Sequence, residues 1–176
     1  MAKVNLFPDF RELLGLLNLA KVKYLVLGGY AVNHYGHHRA TKDLDIWIAT
    51  DTQNAERVSR VMQEFGGFTL KQVAPHLLER RGQAFMFGRE PVRVDLLTGP
   101  SGVEFDECYA RRNIDVWDGI RVPLISFDDL KINKRASGRP QVVADLHALT
   151  VEVPPGASPA PRRAAKPRKP RKPKQN

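Results

Sequence analysis

The chain has 176 residues, 42% of them hydrophobic, which suits one domain with a real core and falls short of two. Its net charge of +9 is uneven: residues 153–176 hold eight of the 28 Lys and Arg and no acid, leaving 20 basic groups against 19 acidic ones, net +1, over 1–152. No apolar run approaches the ~20 residues of a membrane helix, the N-terminus lacks the signal-peptide pattern, and the lone Cys108 excludes an intramolecular disulfide or a cysteine-based zinc site, so no membrane association and a reducing cytoplasm are expected.

Phe10, Leu13, Leu14, Leu17 and Ala20 recur at helical spacing, so 8–20 is expected to be an amphipathic helix with Pro8 near its start. Tyr24-Leu25-Val26-Leu27 reads as a short buried strand ending at Gly28-Gly29. A short helix over 30–36, closed by Gly36, and a strand over 43–49 follow. Residues 52–65 predict a second amphipathic helix, with Val58, Val61, Met62 and Phe65 inward and Gly66-Gly67 at its end. Extended segments are expected within 67–73, 77–87 and 91–97, with turns at Pro75, Gly82 and 88–91. A short helix at 104–112 and a strand at 120–124 come next. Ser126 fits as N-cap of a helix over 127–136, and a last helix covers about 140–149 with Pro140 in its first turn. The order is mixed, without a regular βαβ repeat, which predicts an α+β fold. The domain is placed at 1–150. Residues 151–176, rich in Pro, Lys and Arg and without aromatic residues, are expected to be a disordered basic tail.

Side chains alternate along a strand, so Asp43, Asp45 and Trp47 share one face and Leu44, Ile46 and Ile48 the other. Two carboxylates this close repel unless a cation lies between them, and Mg²⁺ is commonly held by one or two carboxylates plus substrate phosphates. The plainer reading is an exposed polar strand face or a turn. Asp95 sits inside the apolar run Val92-Arg93-Val94-Asp95-Leu96-Leu97, where an acid is costly to bury unless paired or coordinated. It either completes a triad with Asp43 and Asp45, able to hold two Mg²⁺ ions, or forms a salt bridge with Arg93 or Arg121.

Gly28-Gly29 before a helix can make a phosphate cradle, because absent side chains permit close approach and helix N-terminal N–H groups favour anions, although Gly-Gly alone usually marks only a tight turn. Lys131, Lys134 and Arg135 recur at helical spacing, as cations for a triphosphate or as a solvated basic face. Asp145 on the last helix is either a partner orienting Lys134 or a surface acid. Arg39 and Thr41 approach Asp43 and can touch phosphate or ribose. Tyr30 and Trp47 are base-stacking candidates or core. The run Asn33-His34-Tyr35-Gly36-His37-His38 suggests zinc, but no clear fourth ligand accompanies it, and histidines in such a loop are more often surface or hydrogen-bonding groups.

Gly28-Gly29, Asp43-Leu44-Asp45 and Asp95 together resemble the nucleotidyltransferase superfamily named for DNA polymerase beta, with its hG[GS]…Dh[DE]h…D signature, h being apolar. The longer stretches LVLGGYAVNHYGHHRATKDLDIWI and ISFDDLKINKRASGRPQVVADLHAL look like its toxin-type branch, the AbiEii-like and MenT-like enzymes of toxin–antitoxin and phage-defence systems, over about residues 10–150. The resemblance implies a nucleotidyltransferase fold, a small mixed sheet flanked by helices with C-terminal helices. It implies that Asp43 and Asp45 bind Mg²⁺ (Mn²⁺ as substitute), that Asp95 is the third carboxylate, that Lys134 contacts the triphosphate and that Asp145 belongs to the C-terminal motif. The chain departs from the family where Arg-x-x-Asp-φ-x-Asp is common, φ being apolar: after Arg139, Val142 stands in place of the first acid.

The expected function is therefore Mg²⁺-dependent transfer of NMP from an NTP to an acceptor hydroxyl. The attack on the α-phosphate is in line and releases pyrophosphate. RNA, tRNA in the related toxins, is the expected acceptor, protein hydroxyls are a second possibility, and a cognate antitoxin is a candidate partner. Eight cations on a tail favour RNA by sequence-independent attraction, or simply solubilise the chain. The alternative function is a catalytically impaired nucleotidyltransferase-fold protein that binds nucleic acid, motivated by Val142. An interaction protein reading acidic partners rests on charge alone.

Overall fold

The computed structural model describes residues 4–36 and 40–138. The expected helix at 140–149, the residues Arg39, Arg139, Val142 and Asp145, and the tail lie outside them.

The elements in chain order are α1 (Pro8–Leu19), β1 (Tyr24–Leu27), α2 (Gly28–His34), β2 (Asp43–Ile48), α3 (Thr52–Gly66), α4 (Pro75–Leu78), β3 (Ala84–Phe87), β4 (Arg93–Leu97), α5 (Phe105–Ala110), β5 (Asn113–Trp117), β6 (Ile120–Leu124) and α6 (Phe127–Ser137). The strands form one six-stranded sheet in the order β3-β4-β2-β1-β6-β5. It is mixed: β1 runs antiparallel to β2 and parallel to β6, β2 runs parallel to β4, and the outer pairs β3·β4 and β5·β6 are antiparallel. The expected α+β architecture is the one observed.

The core follows the periodicities. Phe10, Leu13, Leu14 and Leu17 bury one stripe of α1, with Pro8 supplying a first-turn residue whose missing N–H has no helical partner in any case. β1 is buried along its whole length, as befits a strand in the middle of the sheet. On β2, Leu44, Ile46 and Ile48 are fully buried on one face. On the opposite face Trp47 is closed over by the edge of Phe105 from α5, ring centroids 5.1 Å apart, while Asp43 and Asp45 stay partly open.

Polar groups fix how helices meet strands. Asp51 caps α3 by accepting the Asn54 N–H at 3.0 Å. The buried Asn54 side chain accepts from the Lys23 N–H at 2.7 Å and donates to the Lys23 and Ala49 carbonyls at 3.0 and 2.9 Å. That one amide ties α3 to the start of β1 and the end of β2, satisfying backbone groups a buried helix start would otherwise strand. Ser126 caps α6 as its position predicts, accepting from the Asp129 N–H at 3.2 Å.

Several expectations need correction. The second helix begins at Gly28, two residues early, because both glycines form its first turn, and it ends at His34. Residues 67–73 hold no strand; they turn, and α4 follows, so the extended segment expected within 77–87 is confined to Ala84–Phe87. β5 is absent from the sequence-based assignment: its apolar Ile114 and Val116 face solvent, 44% and 60% exposed, which defeats an inward-apolar template.

Candidate active site

β1 runs into α2 without a loop, and Gly28 takes the left-handed conformation there, φ +66. Beside this turn lie β2 and β4. Their parallel register sets Asp45 directly opposite Asp95, and Asp43 opposite Arg93. Period-two alternation then brings Asp43, Asp45, Arg93 and Asp95 onto one patch of the sheet. Across the patch stands α6, which contributes Lys134 and Asn133. The helix is anchored through Asp129, which accepts from Ser126 Oγ at 2.6 Å and from Arg111 Nη2 at 2.9 Å, and through Asn133, which donates to the Ser101 carbonyl at 2.9 Å.

These groups line a cleft of about 870 Å³ bounded by Gly28 and Gly29, Thr41 and Asp43, Asp45, Arg93, Asp95, Ser101, Asn133 and Lys134. Its volume suits a small-molecule ligand. A Cβ on Gly28 would overlap the Asp45 carboxylate, so the bare glycine gives that side chain its room.

The Asp45 carboxyl is pushed up to about 7, first by burial and then by the charges of Asp43 and Asp95, against the pull of Lys134 and a hydrogen bond from the Gly29 N–H. Such a cluster is short of positive charge. Part of the deficit is met by Arg93, whose Nη2 lies 2.6 Å from Asp43 Oδ2 and 3.1 Å from Asp95 Oδ2, and whose Nε donates to Asp95 Oδ1 at 2.9 Å. Among the described residues no set of three or more His, Cys, Asp or Glu is drawn in close enough to hold a metal ion. The donor set nonetheless suits a hard divalent cation. It is carboxylate oxygen throughout, it opens on a cleft, and a cationic side chain already sits between two of its members.

The structure thus brings Gly28, Gly29, Thr41, Asp43, Asp45, Asp95 and Lys134 to one cleft. The Thr41 hydroxyl donates to the Asp43 carbonyl at 3.1 Å. Lys131 is not among the groups lining the cleft. It pairs with Asp128 at 2.8 Å and covers the Phe127 ring at 4.5 Å, so the expected common face with Lys134 is not shared. Tyr30 and Trp47 are core: Tyr30 packs against Phe10 and Trp117, and Trp47 is 1% exposed. His34 stands 3.0 Å from Asp115, which also accepts from Trp117 Nε1. The sequence reading offered Arg93 only as one of two alternative salt-bridge partners of Asp95 and missed its bond to Asp43. It also missed Asn133 and Ser101, and the Lys42–Glu90 ion pair of 2.9 Å at the rim. The signal for Arg93 was present, since Arg-x-Asp on a strand shares a face.

Two solved structures share this architecture. One is a protein of Thermotoga maritima assigned as a nucleotidyltransferase, 17% identical, TM-score 0.53, with 79% of this chain and 88% of that one covered. The other is the lincomycin-bound lincosamide antibiotic adenylyltransferase LnuA, 14% identical, TM-score 0.50, with 84% and 99% covered. No protein-family model matches the chain, and no curated protein matches it. The chain has the nucleotidyltransferase fold. Among the described residues no helix is long and apolar enough to cross a membrane.

Proposed function

We propose that the chain is a divalent-metal-dependent nucleotidyltransferase that moves NMP from an NTP to an acceptor hydroxyl. The observation that carries this reading is the convergence of Asp43, Asp45, Asp95 and Lys134 on one cleft beside the Gly28-Gly29 turn.

Asp43, Asp45 and Asp95 would hold the Mg²⁺ or Mn²⁺, one ion or two. When bound, the metal supplies charge neutralisation at the phosphates and lowers the cost of ionising the acceptor hydroxyl. The chain's own groups position the reactants. The first turn of α2 offers N–H groups and an absence of side chains to the phosphate chain. Lys134, 8% exposed at the cleft wall, places a cation where the triphosphate charge must be offset. Asp95 or Asp45 can accept the acceptor's proton. Thr41 lies where phosphate or ribose would be touched, and Arg39, outside the described residues, is proposed from the sequence for the same role.

The proposed acceptor is RNA, tRNA first, on the strength of the eight basic residues at 153–176 and the likeness to toxin-type enzymes. In that case the chain acts as the toxin of a toxin–antitoxin or phage-defence pair, in the cytoplasm. One observation favours a second reading, a nucleic-acid-binding protein without transfer activity: Arg93 satisfies two of the three acids without metal.

The deciding experiment incubates the full chain with Mg²⁺ and each labelled NTP in turn, with total tRNA, with no acceptor, or with lincomycin, the ligand of LnuA. Transfer that Asp45→Asn abolishes supports the enzyme. Equal labelling by wild type and variant, or none by either while RNA is bound, overturns it.

A further inference from the structure

The three bonds from Arg93 have no role in the proposed transfer, yet they engage two of the carboxylates that transfer would use. Arg93 lies opposite Asp43 in the β2·β4 register and two residues before Asp95 on its own strand, so all three side chains leave the same face. Its Nη2 and Nε reach Asp43 at 2.6 Å and Asp95 at 2.9 Å. A guanidinium takes up lone pairs of these carboxylates and neutralises part of their charge, so it competes with a hard cation for them. Arg93 and Asp43 side chains are each 32% exposed, and a partly solvated pair is held weakly. The arginine opens onto the cleft, where rotation of its own side chain, with no movement of either strand, would release it.

We infer that Arg93 is an internal counter-ion which exchanges with the divalent cation: metal capture by Asp43 and Asp95 expels the guanidinium, and the expelled guanidinium serves the phosphates of the nucleotide. This rests on the carboxylates being the metal site of the proposed transferase. Before exchange, Arg93 and Lys134 face three carboxylates; after it, the site carries a surplus of positive charge that a polyphosphate offsets. Nucleotide and metal therefore bind with positive coupling, and the chain binds metal weakly without nucleotide.

The test is calorimetric titration of Mn²⁺ into the metal-free full chain, with and without a non-hydrolysable NTP analogue, for wild type, Arg93→Gln, Arg93→Lys and Asp45→Asn. Without nucleotide, Arg93→Gln is expected to bind Mn²⁺ ~tenfold more tightly than wild type, with Arg93→Lys between them, and the tightening by nucleotide should shrink correspondingly in Arg93→Gln. Affinity in Arg93→Gln equal to or weaker than wild type overturns the exchange. If neither wild type with nucleotide nor Arg93→Gln binds Mn²⁺, or Asp45→Asn binds it as well as wild type does, the metal-carboxylate reading itself fails and the exchange with it. If Asp45→Asn loses the ion while Arg93→Gln gains nothing, the exchange alone fails. Should Arg93→Gln not fold, the Nε–H resonance of Arg93 in wild type decides: a shift on adding Mg²⁺ supports release, and an unmoved resonance at metal saturation overturns it.

Discussion

Gly28 and Asp45 fill one space. The turn glycine, at φ +66, leaves a hollow that the Asp45 carboxylate occupies, and the neighbouring Gly29 N–H donates to that carboxylate. The paired glycines thus serve an acid on the adjacent strand as well as any phosphate above them. A side chain at position 28 is opposed twice, by left-handed backbone and by overlap with Asp45.

Gly28→Ala should therefore destabilise the chain by about 1–3 kcal/mol and also move Asp45. The expected signature is a lowered melting temperature together with loss of the stabilisation that the proposed Mn²⁺ site would confer on wild type. Thermal melts with and without Mn²⁺ check it; a variant that melts lower but keeps the full metal increment would show that Asp45 stays in place.

Asp45 makes the metal-free protein pH-sensitive. Its folded carboxyl titrates at about 7 against 3.8 for the ordinary group, so between those values the folded state binds a proton that the unfolded state has released. The resulting stabilisation is complete below pH 3.8 and is lost as pH rises through about 7. Asp45→Asn, neutral at every pH, should melt higher than wild type in chelator at pH 8, by roughly 1–3 kcal/mol, and the gain should fade toward pH 4. A gain independent of pH would place the effect elsewhere than in this charge. On the proposed mechanism the same substitution should abolish transfer, so stability and activity are expected to move in opposite directions.

What was legible in the chain was what is local. Asp43-Leu44-Asp45, Gly28-Gly29 and Asp95 each announce themselves by residue type and strand alternation, and the stripes of α1 and α3 by helical spacing. The pairing of Asp45 with Asp95 was inaccessible to spacing alone. It depends on β4 returning parallel to β2 after α3, α4 and β3, and no periodicity encodes which strands become neighbours. The bond from Arg93 to Asp43 spans fifty positions and follows from that same pairing. β5 failed for a different reason, its apolar residues facing water, although Asp118-Gly119, both at positive φ (46 and 82), carried a hairpin-turn signature in plain sequence. Lys131 was misplaced because spacing does not say which neighbour a flexible side chain turns toward: three residues from both Lys134 and Asp128, it pairs with the acid.

The cap of α6 holds Lys134 at a distance from its own chemistry. Ser126 accepts from the Asp129 N–H and donates to the Asp129 carboxylate, which Arg111 also binds. Ser126→Ala should cost about 1 kcal/mol of stability. Asp129→Ala should cost more, about 2–3 kcal/mol, because it strips a nearly buried carboxylate from three donors. Hydrogen bonds to Arg111 and Ser126 hold Asp129 below the usual carboxylate range despite its burial, so its contribution is present above the unfolded value and is lost as pH falls through the folded one. Denaturant titration at pH 7 and at pH 3 should find the Asp129→Ala deficit large at the first and reduced at the second.

Lys134 is tied to Asp45 by charge and to the nucleotide by proposal, and the two roles separate by experiment. It pulls the Asp45 carboxyl down against burial and its acidic neighbours. Lys134→Gln removes that pull, so metal-free Asp45 should titrate higher still, and the variant should lose stability at pH 8, where Asp45 is charged, more than at pH 5, where it is protonated. Combining Lys134→Gln with Asp45→Asn should cancel that pH dependence, with an interaction energy of ~1 kcal/mol in a double-mutant cycle at pH 8. If Lys134 also meets the triphosphate, the single variant should raise the KM for NTP by ~10-fold or more at saturating Mg²⁺, whereas a purely structural lysine would leave KM in place once the protein is folded. Nucleotide titrations at a temperature well below the melt of the variant make that distinction.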